Sequence, residues 1–369
     1  MKVLMLVSEL EDYTIAFVNG VAQHLPVVLG VPKRRYAHLA PWFDPAVDLR
    51  LLDWPRHRSP ANPLFLLKLS QLIRQEAPTL IHLLSNSTLW LNLAAPFWRP
   101  IPLVTTVHDV ELHPGDSDSR TLPRWATELM VRQSGHIVVH GEGLRKMVLE
   151  RYAKPADHVH VLSHPSIQRY ADFARTSQLA RPSGDDAFRV LLFGRIFAYK
   201  GLEHLIRAEA ALGDVVPNLR VTIAGRGDDP WAFRALMGRQ DRYDIRNHFI
   251  DDAEVAQLFT DTDIVVLPYT EASQSGVLNL AAAFGKPVVV TDVGELRASV
   301  TPNRLGLVVP PGDPQQLAHA IGMLAENQQL RAELGASALA WAYGPNAPEA
   351  VGAAAVSLYR KVVEECAPS

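Results

Sequence analysis

The chain has almost no cysteine and no long apolar run. Cys366 is the only cysteine among 369 residues, so no internal disulfide can form, which fits a reducing compartment. No stretch approaches the roughly 18 to 20 apolar residues of a membrane-spanning helix. The short apolar run Val3–Val7 ends at Ser8 and Glu9, unlike a signal peptide. We therefore expect a cytoplasmic protein, with any membrane contact peripheral.

The sequence also lacks an excess of positive charge. Its formal net charge is −3, which argues against a nucleic-acid partner. Residues 1–182 carry 20 basic and 16 acidic side chains, a sum of +4, and residues 183–369 carry 16 and 23, a sum of −7. The first half contains 11 of the 14 histidines. Either this half faces an anionic partner, or the asymmetry is ordinary surface variation.

The length of the chain exceeds one ordinary hydrophobic core and suits two domains. Short β-branched runs alternate with helical segments throughout, which predicts an α/β protein built on parallel sheets. Proline, serine and glycine concentrate near residues 166–187, which we interpret as a linker. The predicted domains are residues 1–165 and 188–345, and residues 346–369 form a terminal amphipathic helix.

A β-strand, a polar loop, a helix and a second strand follow one another between Asp263 and Gly294. Ile264–Leu267 and Pro287–Thr291 have the composition of buried strands, and Val277–Phe284 that of a buried helix. In a parallel sheet, ligands bind where such loops meet helix N-termini. The free N–H groups at the start of this helix favour an anionic or hydroxyl-rich ligand.

A second loop of the same kind follows the predicted strand Arg189–Phe193. It runs from Gly194 to Gly201 and contains Arg195 and Lys200. Lysine is unfavourable at a helix N-terminus unless an anion is present. The two cations are therefore candidates for binding phosphate, although solvent-facing charges remain the alternative.

The two loops resemble those of the retaining GT-B glycosyltransferases, specifically glycosyltransferase family 4. Gly194-Arg195 and Lys200-Gly201 match the family's G-R-x-x-x-x-K-G signature, and Glu271 matches the first of two glutamates spaced eight positions apart. The resemblance implies two Rossmann-like domains facing each other across a cleft, with the terminal helix crossing back to the first domain. It implies that Arg195 and Lys200 hold the donor diphosphate and that Glu271 lies at the donor sugar. The implied donor-binding residues are Gly194, Gly225, Ile250, Ser275, Gly276, Val277, Leu278 and Asn279.

A histidine-rich loop follows the predicted strand Leu103–Val107. His108-Asp109 and His113-Pro114-Gly115-Asp116 resemble the HD–HPGD pattern of a bacterial branch of family 4. The resemblance implies that His108 approaches the donor sugar and that Asp109 and His113 lie on the acceptor side. A zinc site is the competing interpretation, but the two histidines lack the one-turn spacing of a metal pair, so no metal site is predicted.

The chain departs from the family pattern at two places. Asn279 occupies the position of the second glutamate, which binds the ribose hydroxyls; asparagine retains hydrogen-bonding capacity, and a helix-surface position is the alternative. The first loop, Ser8–Thr14, contains no glycine, and its acidic residues fit an acceptor or solvent better than a diphosphate.

The resemblance implies transfer of a sugar from a UDP- or GDP-sugar to a saccharide or lipid-linked saccharide, without a cofactor or metal. Five of the seven tryptophans precede residue 130, beside several arginines, which suits a peripheral membrane contact as well as ordinary packing. A nucleotide-sugar-binding protein without turnover and a sugar-nucleotide epimerase remain alternatives. A nicotinamide-dependent oxidoreductase is disfavoured, since Pro230 stands where G-x-G-x-x-G needs its third glycine.

Overall fold

The computed structural model describes residues 1–87, 89–110, 124–181, 184 and 186–366. They divide into two units. The described residues up to Pro165 and from Pro345 onwards form the first unit, and those of Ser166–Gly344 form the second. Each unit is built on a parallel sheet, as an α/β protein with two Rossmann-like domains requires. None of the helices in the described ranges is both long and apolar enough to cross a membrane.

The first unit contains, among the described residues, a seven-stranded sheet of order β3-β2-β1-β4-β5-β6-β7 in which all neighbours are parallel. Its central strands are buried on both faces because helices cover them. The strands are β1 (Val3–Leu6), β2 (Val27–Pro32), β3 (Val47–Leu52), β4 (Leu80–Leu83), β5 (Leu103–Thr106), β6 (His136–Val139) and β7 (Val159–Val161).

The terminal helix belongs to this first unit and packs on its first helix. Gly20 and Gly352 allow the two backbones to meet, and the Tyr359 hydroxyl lies 2.6 Å from Nδ1 of the buried His82. The helices of the unit are α1 (Glu11–Ala22), α2 (Lys33–Tyr36), α3 (Asn62–Glu76), α4 (Leu89–Ala94), α5 (Arg124–Gln133), α6 (Glu142–Tyr152) and, after the second unit, α14 (Pro348–Glu365).

The second unit contains, in its described part, a six-stranded parallel sheet of order β10-β9-β8-β11-β12-β13. The chain turns from one side of β8 to the other at β11, so the loops after β8 and β11 lie at the switch point of the sheet. The strands are β8 (Phe188–Phe193), β9 (Leu219–Ala224), β10 (Tyr243–Arg246), β11 (Ile264–Leu267), β12 (Val288–Thr291) and β13 (Gly306–Val309).

Seven α-helices flank this sheet within the described residues. Asp251, Asp313 and Asn327 cap three of them, with side-chain oxygens that accept first-turn N–H groups. The helices are α7 (Arg169–Thr176), α8 (Leu202–Leu212), α9 (Asp252–Asp261), α10 (Gly276–Ala283), α11 (Leu296–Asn303), α12 (Pro314–Glu326) and α13 (Gln328–Ala342).

Several elements differ from the sequence-based expectation. The segment interpreted as a linker contains α7, whose Arg169 forms an ion pair with Asp252 of the second unit. Residues 36–63, where proline and arginine among the aromatic residues predict a less regular stretch, contain the edge strand β3. The run Ile245–Ile250 predicts a strand, but β10 ends at Arg246, so Ile250 follows it.

The α1–α14 crossing yields a stability prediction. A Cβ atom on Gly352 would lie 2.2 Å from the backbone carbonyl of Gly20, which neither helix can accommodate without moving. We expect Gly352→Val to lower the free energy of unfolding by about 1–3 kcal/mol, the usual cost of overpacking. Chemical denaturation measures the change. The control Ala353→Val is exposed on the same helix, and its cost should not exceed about 0.7 kcal/mol of helix propensity; equal losses in the two variants would contradict close helix packing.

Candidate functional site

Glycines allow three loops of the second unit to converge at the carboxyl edge of its sheet. A Cβ on Gly201 would lie 1.8 Å from the Pro268 carbonyl oxygen, and one on Gly225 would lie 1.8 Å from the Gly194 carbonyl oxygen. Both glycines also have positive φ angles, +69° and +146°. The loops after β8, β9 and β11 can therefore touch only because these positions carry no side chain.

The loops after β8 and β11 are also joined by hydrogen bonds. The Thr270 N–H donates to the Tyr199 carbonyl over 2.8 Å, and the Thr270 hydroxyl donates to the same oxygen over 3.3 Å. Lys200 Nζ lies 3.9 Å from the centre of the Tyr269 ring, a cation–π contact. Tyr269 is buried, so the ring holds the ammonium group at the switch point of the sheet.

Two cationic side chains lie on the loop after β8. Arg195 is exposed, with its guanidinium 5.3 Å from the Phe197 ring centre, and Lys200 is half-buried directly before α8. Their positions combine positive charge with a helix N-terminus, a combination that suits a phosphate group.

The loop after β11 leads into α10, which begins at Gly276. Gly276, Val277 and Leu278 supply the first-turn backbone N–H groups, and Val277 also approaches Gly194, whose Cβ would lie 3.7 Å from Val277 Cγ2. Ser275 is buried, and its hydroxyl lies 3.3 Å from that of Tyr269. The start of α10 thus faces the same loops that carry the two cations.

Polar groups of differing burial line this loop. Glu271 is exposed. Within the part of the chain that the structure describes, Gln274 Oε1 is buried without a hydrogen-bond partner, so it is available to accept from a ligand hydroxyl. Asn279 is buried rather than on the helix surface, and its Nδ2 donates to the Ser275 carbonyl over 3.2 Å.

Ile250 lies further along the same edge, between β10 and α9. It is buried against the core that contains Ala224 at the end of β9, and the Gly225 N–H donates to the Arg246 carbonyl over 3.0 Å. The predicted donor-binding residues therefore come from successive loops at one edge of this sheet.

His108 and Asp109 of the predicted histidine loop belong to the first unit. His108 follows β5 and is buried, and its Nε2 donates to the Leu84 carbonyl over 2.9 Å, which leaves Nδ1 as the acceptor nitrogen of the neutral ring. Burial lowers the pKa of His108. The Leu84 hydrogen bond and the charge of the exposed Asp109 both raise it, but by less than burial lowers it. His113 lies outside the described residues.

Sequence reasoning missed the surroundings of His108. The Tyr13 ring centre lies 4.6 Å from that of His108, 5.3 Å from His140 and 5.0 Å from His164. The Nε2 atom of a fourth imidazole, His82, is hydrogen-bonded to Thr106 Oγ1 over 2.8 Å. We call these four buried histidines the His82/His108/His140/His164 cluster. They lie at or near the ends of β4, β5, β6 and β7, and this repetition could have been recognised from the predicted strands.

The glycine-free loop after β1 also lies at this edge of the first unit. Glu9 Oε1 accepts hydrogen bonds from the hydroxyls of Ser85 and Ser87, in the loop after β4. The neighbouring loop thus holds the carboxylate in place through two hydroxyl groups.

Two protein-family models match consecutive parts of the chain. Residues 13–165 match the family model described as glycosyltransferase family 4, and residues 187–327 match that of glycosyl transferases group 1. Alpha-D-kanosaminyltransferase of Streptomyces kanamyceticus is 26% identical over 275 residues, covering 71% of each chain. The chain is a GT-B glycosyltransferase of the family 4 type.

Solved structures with the same fold have low sequence identity to this glycosyltransferase. Sucrose-phosphate synthase of Thermosynechococcus elongatus superposes with a TM-score of 0.74 at 18% identity, covering 99% of this chain and 100% of its own. Anabaena Alr3699/HepE in complex with UDP-glucose superposes with a TM-score of 0.70 at 20% identity, covering 99% of each chain. These likenesses establish the GT-B fold.

The histidine cluster of the glycosyltransferase predicts acid sensitivity. Burial lowers the pKa of His82 to about 3 and of His164 to about 4, from 6.5. Below pH 6.5 the unfolded chain binds protons that the folded chain does not, so the stability is complete above that pH and falls on acidification. From pH 7.5 to 5.5 we expect a loss on the order of 1 kcal/mol for each such imidazole.

Chemical denaturation followed by tryptophan fluorescence measures this loss, because five of the seven tryptophans precede residue 130. His164→Gln should reduce the pH dependence by about one proton. The control His38→Gln, at an exposed position, should leave it unchanged. A pH dependence that is the same in His164→Gln as in the wild type would show that His164 titrates normally in the folded protein.

Proposed function

We propose that this glycosyltransferase transfers a sugar from a UDP- or GDP-sugar to a saccharide or lipid-linked saccharide, with retention of anomeric configuration and without a metal ion. The observation that carries the proposal is the pairing of Arg195 and Lys200 with the α10 N-terminus at the switch point of one sheet. The family models support sugar transfer over epimerisation, because both describe transferases.

The chemistry of transfer needs positive charge at the donor diphosphate. As the bond from the sugar to the diphosphate breaks, negative charge grows on the leaving group, and Arg195 and Lys200 stabilise it in place of a divalent cation. Lys200 is held by the Tyr269 ring, so little reorganisation is needed during the reaction. The complex of HepE with UDP-glucose, a protein of the same fold, supports a nucleotide sugar as the donor.

The remaining residues have roles in holding the sugar and the ribose. Glu271, the buried Gln274 Oε1 and the backbone of Ser275–Leu278 bind sugar hydroxyls, and Asn279 binds the ribose. His108 is the contribution of the first unit to the reaction, with Asp109 and His113 on the acceptor side. These roles follow from the family resemblance, and the buried acceptor of Gln274 adds a group that a sugar hydroxyl satisfies.

Exposed apolar side chains support a lipid-linked acceptor and peripheral membrane contact. Phe97 is 83% exposed, and Leu64 and Leu67 of α3 are 57% and 63% exposed. Lys68 and Arg99 carry positive charge beside them in the sequence, which suits an anionic membrane surface.

The direct test is the anomeric configuration of the product. Purified protein is incubated with a panel of UDP- and GDP-sugars and candidate acceptors, and NMR spectroscopy determines the linkage. We expect the anomer of the donor and activity that survives a metal chelator. An inverted product would overturn retention, abolition by chelator with rescue by magnesium or manganese would overturn metal independence, and binding of a donor without transfer or hydrolysis would favour a non-catalytic binding protein.

The proposed contacts of Arg195 and Lys200 with the diphosphate can be tested by mutation. We expect Arg195→Ala and Lys200→Ala each to reduce transfer by roughly a hundredfold, the usual effect of removing one group that stabilises the transition state. The control Arg207→Ala removes an exposed charge from α8, where it pairs with Glu203, and should leave transfer unchanged. Steady-state rates and thermal unfolding are measured together, and full activity in either site variant would refute the assignment.

The proposed contact of Asn279 with the ribose can also be tested by mutation. Replacement by glutamate supplies a charged acceptor to the ribose diol, worth on the order of 1 kcal/mol, so nucleotide affinity should rise up to about tenfold. Asn279→Leu should lower it. Glutamate cannot donate to the Ser275 carbonyl, so thermal unfolding is recorded for both variants. Titration calorimetry that finds affinity indifferent to both changes would remove Asn279 from the ribose site.

A further inference from the structure

Three histidines and one glutamate meet at the amino end of β6 and β7, the opposite edge of the sheet from His108. His136 begins β6, and His158 and His160 flank Val159, the first residue of β7. The register pairs Ile137 with Val159 and Val138 with His160. Residues two apart on a strand share a face, so the three imidazoles project from the same side of the sheet. The proposed transfer reaction uses none of them.

The imidazoles are stacked, and a carboxylate from the last turn of α14 approaches them. The ring centres of His136 and His158 are 4.5 Å apart, and Glu365 Oε2 lies 3.7 Å from His136 Nε2. One potential ligand atom each from His136, His158 and Glu365 lies within 4.8 Å of the others. His136 is buried, whereas His158 is half-buried and Glu365 exposed, so a cation can enter from solvent.

The three potential ligand atoms can bind a small cation if they move slightly closer together. Bonds of about 2.0–2.2 Å from nitrogen and oxygen place tetrahedral ligands roughly 3.3–3.5 Å apart. The ligand atoms of His136, His158 and Glu365 lie within 4.8 Å of one another, so they must approach by up to about 1.5 Å, which rotation of the half-buried His158 and exposed Glu365 side chains can supply.

His160 supplies the outer contact that metal-binding histidines usually have. Its Nε2 lies 3.1 Å from His136 Nδ1, so when a cation binds His136 Nε2, the proton on Nδ1 is donated to His160.

We propose that His136, His158 and Glu365 bind one divalent transition-metal cation, with His160 as a positioning residue. Imidazole nitrogen together with a carboxylate suits zinc and its neighbours better than magnesium or calcium, which prefer oxygen alone. The cation joins the end of α14 to β6 and β7 within one unit, and so stabilises that unit by mass action. This site is independent of the proposed transfer reaction.

Nearby charges change the affinity of the site for a cation. Lys361 Nζ lies 3.6 Å from Glu365 Oε1 and competes with the cation for this carboxylate, and Asp157 adds a second negative charge beside His158. Cys366, exposed beside Glu365, carries a thiol that can itself bind zinc. The experiment therefore uses the full chain with Cys366→Ser as its background.

The test titrates metal-free protein with zinc by calorimetry and with cobalt(II) by absorption spectroscopy, at neutral pH. We expect one cation per chain, a raised unfolding temperature, and cobalt bands typical of tetrahedral or five-coordinate nitrogen and oxygen ligands. His158→Gln and Glu365→Gln should each weaken binding at least about tenfold, and His160→Phe by about 10–100-fold. Lys361→Gln should tighten it, and the control His38→Gln should change nothing.

The proposal is overturned if zinc does not bind stoichiometrically, if binding requires Cys366, or if neither His158→Gln nor Glu365→Gln weakens it. Glu365 is exposed at a helix end, so Glu365→Gln remains decisive should a histidine variant fail to fold. Transfer activity in the presence of chelator separates this outcome from the donor site: loss of zinc should lower the unfolding temperature and leave transfer intact.

Discussion

The candidate site of the second unit depends on the absence of side chains where loop backbones touch. Gly201 meets the Pro268 carbonyl, Gly225 meets that of Gly194, and Gly294 would place a Cβ 2.0 Å from the Ala272 carbonyl oxygen. Each contact closes the gap between successive strand ends, which brings Arg195, Lys200 and the start of α10 to one edge of the sheet. The chemistry of the site therefore rests on backbone packing first and on charged side chains second.

The second unit was the more predictable of the two because its signals are local. Strand, loop and helix follow one another within some thirty residues around Glu271, and the glycines and cations stand at the joints between them. Ile250 was the exception: the run Ile245–Ile250 has the composition of a strand, but pairing with β9 ends at Arg246, and sequence periodicity cannot show where a neighbouring strand stops.

Long-range geometry limited the prediction elsewhere. Strand β3 has the alternating apolar and charged residues of a half-buried strand, but the proline and arginine residues around it made residues 36–63 look irregular. Helix α7 was hidden by the proline and serine residues around it, although Arg169 reaches Asp252, 83 positions away. The contact of His136 with Glu365 joins the start of β6 to the end of α14, so only the folded chain brings these two residues together.

The central claim is that the switch point of the second sheet binds a nucleoside diphosphate, and the most direct measurement is a structure of the protein with UDP-glucose or a GDP-sugar bound. The account predicts phosphate oxygens at about 2.7–2.9 Å from the Arg195 guanidinium and Lys200 Nζ, beside the first N–H groups of α10. A nucleotide bound in the second unit away from both side chains, or bound only to the first unit, would contradict it.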